Sequence, residues 1–277
     1  MSELVAAFLS AAMLMLTAQV EPFIPDAVEV PILMYHHLDE TGNGSVTVTA
    51  ETFEEHLILL RDAGYEAVSF DELIDYVDHG YELPEKPICI VFDDGYESVL
   101  TLALPLLCEY ECKATVCVIG SSVGRDTYNG TDIPILPHFS KEDFKTFRDS
   151  GLVTVASHTY NMHQTPKYED DIVRRYAVPL PGESERHFRA VFDADYLAMK
   201  RMGCDMSIFA YPHGVHHELT EQLLTDYGVR VTLTTDAHVN TVTRGDAGSL
   251  HLLGRYNINE ETDMTALLEG FAASKTP

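Results

Sequence analysis

The stretch Pro87-Ile-Cys-Ile-Val-Phe-Asp-Asp-Gly-Tyr-Glu97 decides the fold. Ile88 to Phe92 is a short, unbroken apolar run, as expected for a strand buried on both faces. The run stops at Asp93-Asp94-Gly95, a turn-forming triplet, and a helix-like stretch, Glu97–Tyr110, follows. Strand, polar turn, helix is the unit of a parallel sheet.

The same unit recurs outward in both directions. Strand candidates are Pro31–His36, Glu66–Ser69, Pro87–Phe92, Ala114–Ile119, Leu152–Ser157, Met206–Tyr211, Val229–Thr234 and Leu250–Ile258. Helical patterns lie between them at Phe53–Ala63, Phe70–His79, Lys141–Asp149, Phe188–Met202, His217–Asp226 and, last, Met264–Ala273. Ser69-Phe-Asp-Glu72 and Ser140-Lys-Glu-Asp143 read as capping boxes. Gly64, Gly151, Gly203 and Gly228 sit where helices should stop. Eight repeats without a second composition zone predict one α/β domain. It is a distorted (β/α) barrel of seven or eight parallel strands, with its site at the C-terminal strand ends. The predicted division is a leader and linker over residues 1–26 and the barrel over residues 27–277. Two long connections, Gly120–Phe139 and Gln164–His187, are expected to wall the site; the second carries Lys167, Arg174 and Arg175.

The chain has 277 residues, with 18 Lys and Arg against 44 Asp and Glu, a net charge of −26. With no basic run to neutralise phosphates, it is neither a nucleic-acid binder nor a partner of anionic membrane surfaces. Its 45% apolar content excludes disorder. Cys89, Cys108, Cys112, Cys117 and Cys204 match no zinc or iron–sulfur spacing and are expected as buried free thiols. Leu4 to Leu16 is apolar but too short to span a bilayer, and Leu16-Thr17-Ala18 can serve as a cleavage site, although no basic residue precedes the run. Export is the expectation.

Chemistry concentrates at the strand ends. Asp93 and Asp94 crown the buried strand, and adjacent carboxylates can divide labour, one holding a cation and the other handling a proton. His158 and His163 lie in Ser157-His-Thr-Tyr-Asn-Met-His163. Five residues apart on a helix they would diverge by roughly 140°, so they can share a metal only if this segment is a loop, with Asp94 as the facing carboxylate. Tyr35-His36-His37, Tyr211-Pro-His-Gly214, Asp236 with His238, and Arg255 end other strands. Any one alone reads as a turn or a surface histidine; together they predict a site.

From Val30 to Ala273 the chain resembles the polysaccharide deacetylase family of carbohydrate esterases, with its NodB-type homology domain. Val91-Phe-Asp-Asp-Gly-Tyr96 is similar to the family's first motif and Ser157-His-Thr…His163 to its second. Phe209-Ala-Tyr-Pro-His-Gly214 resembles the third, without the family's arginine and with histidine for its aromatic residue. No Leu-x-x-His stands near the end, where Leu253-Gly-Arg-Tyr256 is found. The extra residue between the histidines and the segment Pro31-Ile-Leu-Met-Tyr-His36 resemble the poly-N-acetylglucosamine deacetylase branch.

The resemblance implies Asp93 as general base and Asp94, His158 and His163 as ligands of a divalent metal, Zn²⁺ first, with Co²⁺ or Ni²⁺ also suited. It implies His36 as general acid, with an acetylated glycan as substrate. The His213 backbone N–H is the expected oxyanion donor, Tyr211 and Arg255 are candidates on the substrate side, and Arg255 or Asp236 is the candidate to tune Asp93 or His36. The leading expectation is N-deacetylation of an N-acetylglucosamine polymer. Peptidoglycan or xylan O-deacetylation and a non-catalytic carbohydrate-binding barrel stand as alternatives. Oligomeric state is not readable from the sequence.

Overall fold

The computed structural model of the chain describes residues 26–128, 131–163 and 176–274. The apolar run Leu4–Leu16 and the residues Lys167, Arg174 and Arg175 lie outside them. Among the described residues no helix is long and apolar enough to cross a membrane. The strands are β1 (Ala27–Val30), β2 (Ile32–Tyr35), β3 (His37–Asp39), β4 (Thr47–Thr49), β5 (Glu66–Ala67), β6 (Pro87–Asp94), β7 (Ala114–Val118), β8 (Val153–Ser157), β9 (Asp205–Ala210), β10 (Val231–Leu233), β11 (Asn240–Thr243) and β12 (Tyr256–Asn257).

Seven strands run parallel in the order β10-β9-β8-β7-β6-β2-β12, and β5 also pairs with β6. The two ends of the row meet at one parallel bridge, Leu233 to Leu253. It is held by the N–H of Leu253 on the Thr232 carbonyl and the N–H of Thr234 on the Leu253 carbonyl, both at 2.8 Å. The fold is thus the distorted (β/α) barrel that the sequence predicts.

The predicted strand Leu250–Ile258 survives only as β12, and just before it the chain makes a close passage at Gly254. There an added Cβ would lie 2.1 Å from the Asp236 carbonyl oxygen and 2.3 Å from the His238 ring. The buried Asn240 side chain serves as a surrogate ladder, donating to the carbonyls of Val30 (3.1 Å) and Gly254 (2.9 Å) and accepting the Gly254 N–H (2.7 Å). β1 and β11 form an antiparallel pair beneath it, and β3 pairs with β4; the sequence reading foresaw neither.

Helices cover the outside. Phe70–His79 has its predicted bounds, and both hydrogen bonds of the Ser69–Glu72 capping box form. At Ser140 the Asp143 carboxylate accepts from the Ser140 N–H, but the helix starts only at Phe144. The predicted helix Glu97–Tyr110 divides into a π turn, Val99–Ala103, and the α-helix Leu104–Glu109. Pro105 has no N–H to continue the ladder. Cys89, Cys117 and Cys204 are buried free thiols, whereas Cys108 is exposed and Cys112 half-buried. Cys108 lies on the solvent side of its helix, which corrects the expectation for that residue.

Alternation along the strands sorts the side chains. Leu33, Tyr35, Ile90 and Phe92 pack with Phe53, Leu57, Phe144 and Phe147 in the layer beneath the helices. Ile32, Cys89, Val91, Cys117, Ala156, Ile208, Ala210 and Val231 share a second cluster inside the barrel. Asp93 follows Cys89 and Val91 in that parity, so a carboxylate tops the lumen. Small residues below it leave room for the guanidinium of Arg255, which is wholly buried.

Candidate active site

Asp94 would by alternation face outward with Phe92. Its backbone instead takes a left-handed φ of 71°, and Gly95 follows at 90°. A Cβ on Gly95 would stand 2.9 Å from Val118, so this corner requires glycine. The turn brings both carboxylates to one side: His158 Nε2 lies 3.8 Å from Asp93 Oδ2 and 3.8 Å from Asp94 Oδ1. Thr159 (φ 68°) and His213 (φ 55°) are also left-handed. Such strain in residues other than glycine clusters where surrounding structure holds a functional geometry.

His158 continues β8, its N–H on the Val118 carbonyl. The chain then leaves the sheet as a loop and returns His163, whose Nε2 is 3.9 Å from Asp94 Oδ1. One ligand-type atom from each of Asp94, His158 and His163 lies within 4.8 Å of the others. The loop reading of 158–163 and the facing position of Asp94 are therefore as predicted. His158 Nδ1 sits 2.8 Å from the Ala210 carbonyl. A carbonyl only accepts, so Nδ1 carries the proton and Nε2 presents its lone pair. Burial pushes the His158 pKa down to about 4 against the pull of Asp93, keeping the ring neutral.

Asp94 Oδ1 is buried without a hydrogen-bond partner. It faces the lone pair of His158 Nε2 at 3.8 Å and the His163 ring at 3.9 Å, too far for a hydrogen bond and an arrangement that a cation between them would satisfy. Two ligands on a four-coordinate zinc stand about 3.3–3.4 Å apart, and Asp94 Oδ1 is within about half an ångström of that from each imidazole nitrogen, at 3.8 and 3.9 Å. These residues fit a divalent metal.

Asp93 is fixed from behind. Arg255 Nη1 donates to its Oδ1 at 2.8 Å and Arg255 Nε to the Thr234 carbonyl at 2.7 Å. Burial by itself would raise the Asp93 carboxyl, but Arg255, then His158 and His36, hold it well below the usual carboxylate range. His36 contributes to the field at both Asp93 and Asp94, and its Nδ1 is buried without a partner. His37 turns the other way, with Nδ1 2.9 Å from Ser98 Oγ. His36 therefore lies on the side of the two carboxylates and His37 on the side of Ser98.

Other candidates land differently. Tyr211 is fully buried and donates its hydroxyl to Glu221 Oε1 at 2.8 Å. Its expected place on the substrate side is corrected: it anchors the Pro212-His-Gly214 turn from below. Arg255 likewise lies under Asp93, out of reach of a substrate, and Asp236 is exposed. His213 is exposed and stacks on His163, centroids 4.4 Å apart, with Tyr176 beyond it.

Sequence reasoning passed over His138 and gave Tyr96 no role. Tyr96 donates to Asp94 Oδ2 at 3.0 Å, and its ring lies between those of His37 (5.3 Å) and His138 (4.9 Å). Its position directly after Asp-Asp-Gly was the available signal; His138 sits in a long loop that offered none. Tyr96→Phe is expected to weaken metal binding by about tenfold through the freed Asp94 oxygen. A chelator-competition titration checks it, and unchanged affinity would remove Tyr96 from the site.

Parallel strands ringed by helices, with carboxylates and imidazoles gathered at the C-terminal strand ends, make this a (β/α)-barrel of enzyme type. The family model for polysaccharide deacetylase matches residues 80–232, more than half of the chain, and the chain belongs to the polysaccharide deacetylase family. The Bacillus subtilis (strain 168) protein YxkH is 28% identical over 208 residues, covering 75% of this chain and 65% of its own length. The poly-β-1,6-N-acetyl-D-glucosamine N-deacetylase of Escherichia coli (strain K12) is 24% identical over 236 residues, 78% of this chain and 35% of its own. The chain thus spans less than two thirds of either relative. The structure of IcaB from Ammonifex degensii superposes with a TM-score of 0.70 at 26% identity, covering 87% of this chain and 96% of that one.

Proposed function

We propose that the protein is a metal-dependent N-deacetylase of an N-acetylglucosamine-containing polysaccharide. The observation that carries this reading is the buried, unpartnered Asp94 oxygen between His158 and His163, with the paired carboxylate of Asp93 alongside. The name of the Escherichia coli relative supports the substrate class.

Asp94, His158 and His163 would hold the metal, Zn²⁺, Co²⁺ or Ni²⁺ by the chemistry of the donor set. When bound, the metal supplies Lewis-acid polarisation of the acetamido carbonyl and acidifies water. Asp93, kept ionised by Arg255, takes a proton from the attacking water. The backbone N–H of His213 is assigned to the developing oxyanion. His36 protonates the departing nitrogen as the C–N bond breaks, leaving acetate and a free amine on the sugar. The signal-like Leu4–Leu16 run supports export, where such a glycan is met.

The test is acetate release from oligo-N-acetylglucosamine together with metal analysis of the same preparation. Release that stops on chelation and returns with Zn²⁺, Co²⁺ or Ni²⁺ is the expected result. Bound metal without release from this substrate, but with release from acetylated xylan, would move the reading to O-deacetylation. No release from any acetylated glycan would favour a binding barrel.

A further inference from the structure

Beyond His158, the segment that returns His163 is not part of a strand. Between His158 and His163 the chain makes a left-handed step at Thr159 and runs through Tyr160, Asn161 and Met162 without secondary-structure partners of its own. An irregular loop would bring His163 back to Asp94 only part of the time, unless its backbone is held in place.

Five of its backbone groups are held, from two sides. The carbonyls of Thr159 and Tyr160 accept from the N–H groups of Gly120 (3.0 Å) and Ser121 (2.7 Å). The N–H ends of the same two peptide groups point the opposite way, and those of Tyr160 and Asn161 donate to Oδ1 (2.8 Å) and Oδ2 (2.7 Å) of Asp195. The Met162 N–H closes the turn on Thr159 Oγ1 at 3.2 Å. Asp195 is buried and belongs to the long helix Glu185–Met202, far from the site in sequence. The same helix supplies Met199 and Met202, which with Tyr160 press so closely on Gly120 that a Cβ there would stand 2.5 Å from the Tyr160 ring and 2.6 Å from the Met199 sulfur.

A buried carboxylate is costly unless its oxygens are hydrogen-bonded. This one spends an oxygen on each of two consecutive amides, a bidentate clamp that fixes the two peptide planes relative to each other. From this we infer that Asp195 is a positioning residue for the metal centre: it pre-forms the 158–163 loop so that His163 meets Asp94 and His158 before a metal arrives. The inference rests on the metal-site reading above and adds to it a residue that touches neither metal nor substrate.

Cobalt titration of the full chain, followed by visible absorption, tests it for the wild type, Asp195→Asn and Asp195→Ala. Thermal unfolding of the metal-free proteins runs in parallel. Outer-shell partners of metal ligands typically govern affinity by about 10–100-fold. Cobalt affinity should fall by that range in the alanine variant and by less in the asparagine variant, which keeps one acceptor. The cobalt spectrum should change as His163 loosens, and acetate release at saturating metal should recover.

Folded variants with wild-type affinity and spectrum would overturn the assignment of Asp195 alone. A wild type that takes up no metal would overturn the metal-site reading and this inference with it. A second measurement needs no variant. In metal-free wild-type protein the amides of Tyr160 and Asn161 should be protected from hydrogen exchange; rapid exchange there would sink the inference.

Discussion

Asp93→Asn is expected to lower acetate release by about 10²- to 10⁴-fold, the range a positioned general base supplies, while metal content stays at the wild-type level. Asparagine matches the carboxylate in shape, and its carbonyl oxygen can still face Arg255 Nη1, the donor now 2.8 Å from Oδ1. It cannot take up the proton of an attacking water. Asp94 Oδ1, His158 and His163 keep their mutual geometry, so metal analysis separates this variant from one that has lost a ligand. Bound metal with undiminished release would remove Asp93 as the base and return the proton-transfer role to another group.

Arg255→Met is expected to act on stability and on the pH profile together. The guanidinium and the Asp93 carboxylate are both buried, and removing one member of a buried pair typically costs about 3–5 kcal/mol because the other charge is left uncompensated. In the wild type, burial that would raise the Asp93 carboxyl is overcome mainly by Arg255, so its folded pKa lies below the unfolded value. That difference contributes its full stability above the ordinary carboxylate pKa of about 3.9, and the contribution is lost progressively as pH falls from there through the depressed folded value. Without Arg255, burial is opposed only by His158 and His36 and the pKa rises. The acid limb of kcat/KM should then move to higher pH. If the Asp93 pKa rises above about 3.9, the stability deficit should widen as pH rises toward neutrality. Denaturant melts at several pH values and a kcat/KM profile check both. A variant as stable as the wild type with an unmoved acid limb would mean that Arg255 does not govern Asp93.

The parts of the fold written in local chemistry were legible. Ile88–Phe92 is apolar on both faces because both faces are buried, and Ser69 and Glu72 cap a helix using only each other. The strand ends could be listed for the same reason, and the structure brings Asp93, Asp94, His158, His163 and His36 to one mouth. What stayed hidden depends on partners distant in sequence. The antiparallel pairing of β1 with β11 joins residues more than 200 apart. β12 is only two residues long, and just before it Gly254 passes against the Asp236 carbonyl, a close approach that no periodicity announces. Tyr211 looked like a substrate contact because it neighbours Pro212-His213, yet its acceptor, Glu221, lies on the following helix and draws it inward. Asp195 reads as one more acid on a helix until the amides of Tyr160 and Asn161 are seen to end on it.

The pairing of Asp93 with Arg255 spans 162 residues, and that distance has a consequence for how the protein comes into being. Ribosomes add about 5–20 residues per second, so Asp94, His158 and His163 emerge several seconds before Arg255. The wall that delivers Arg255 is also the one that seals the barrel through the Leu233–Leu253 bridge. A chain that ends short of Arg255 holds the Asp93 carboxylate without the guanidinium that balances it when buried.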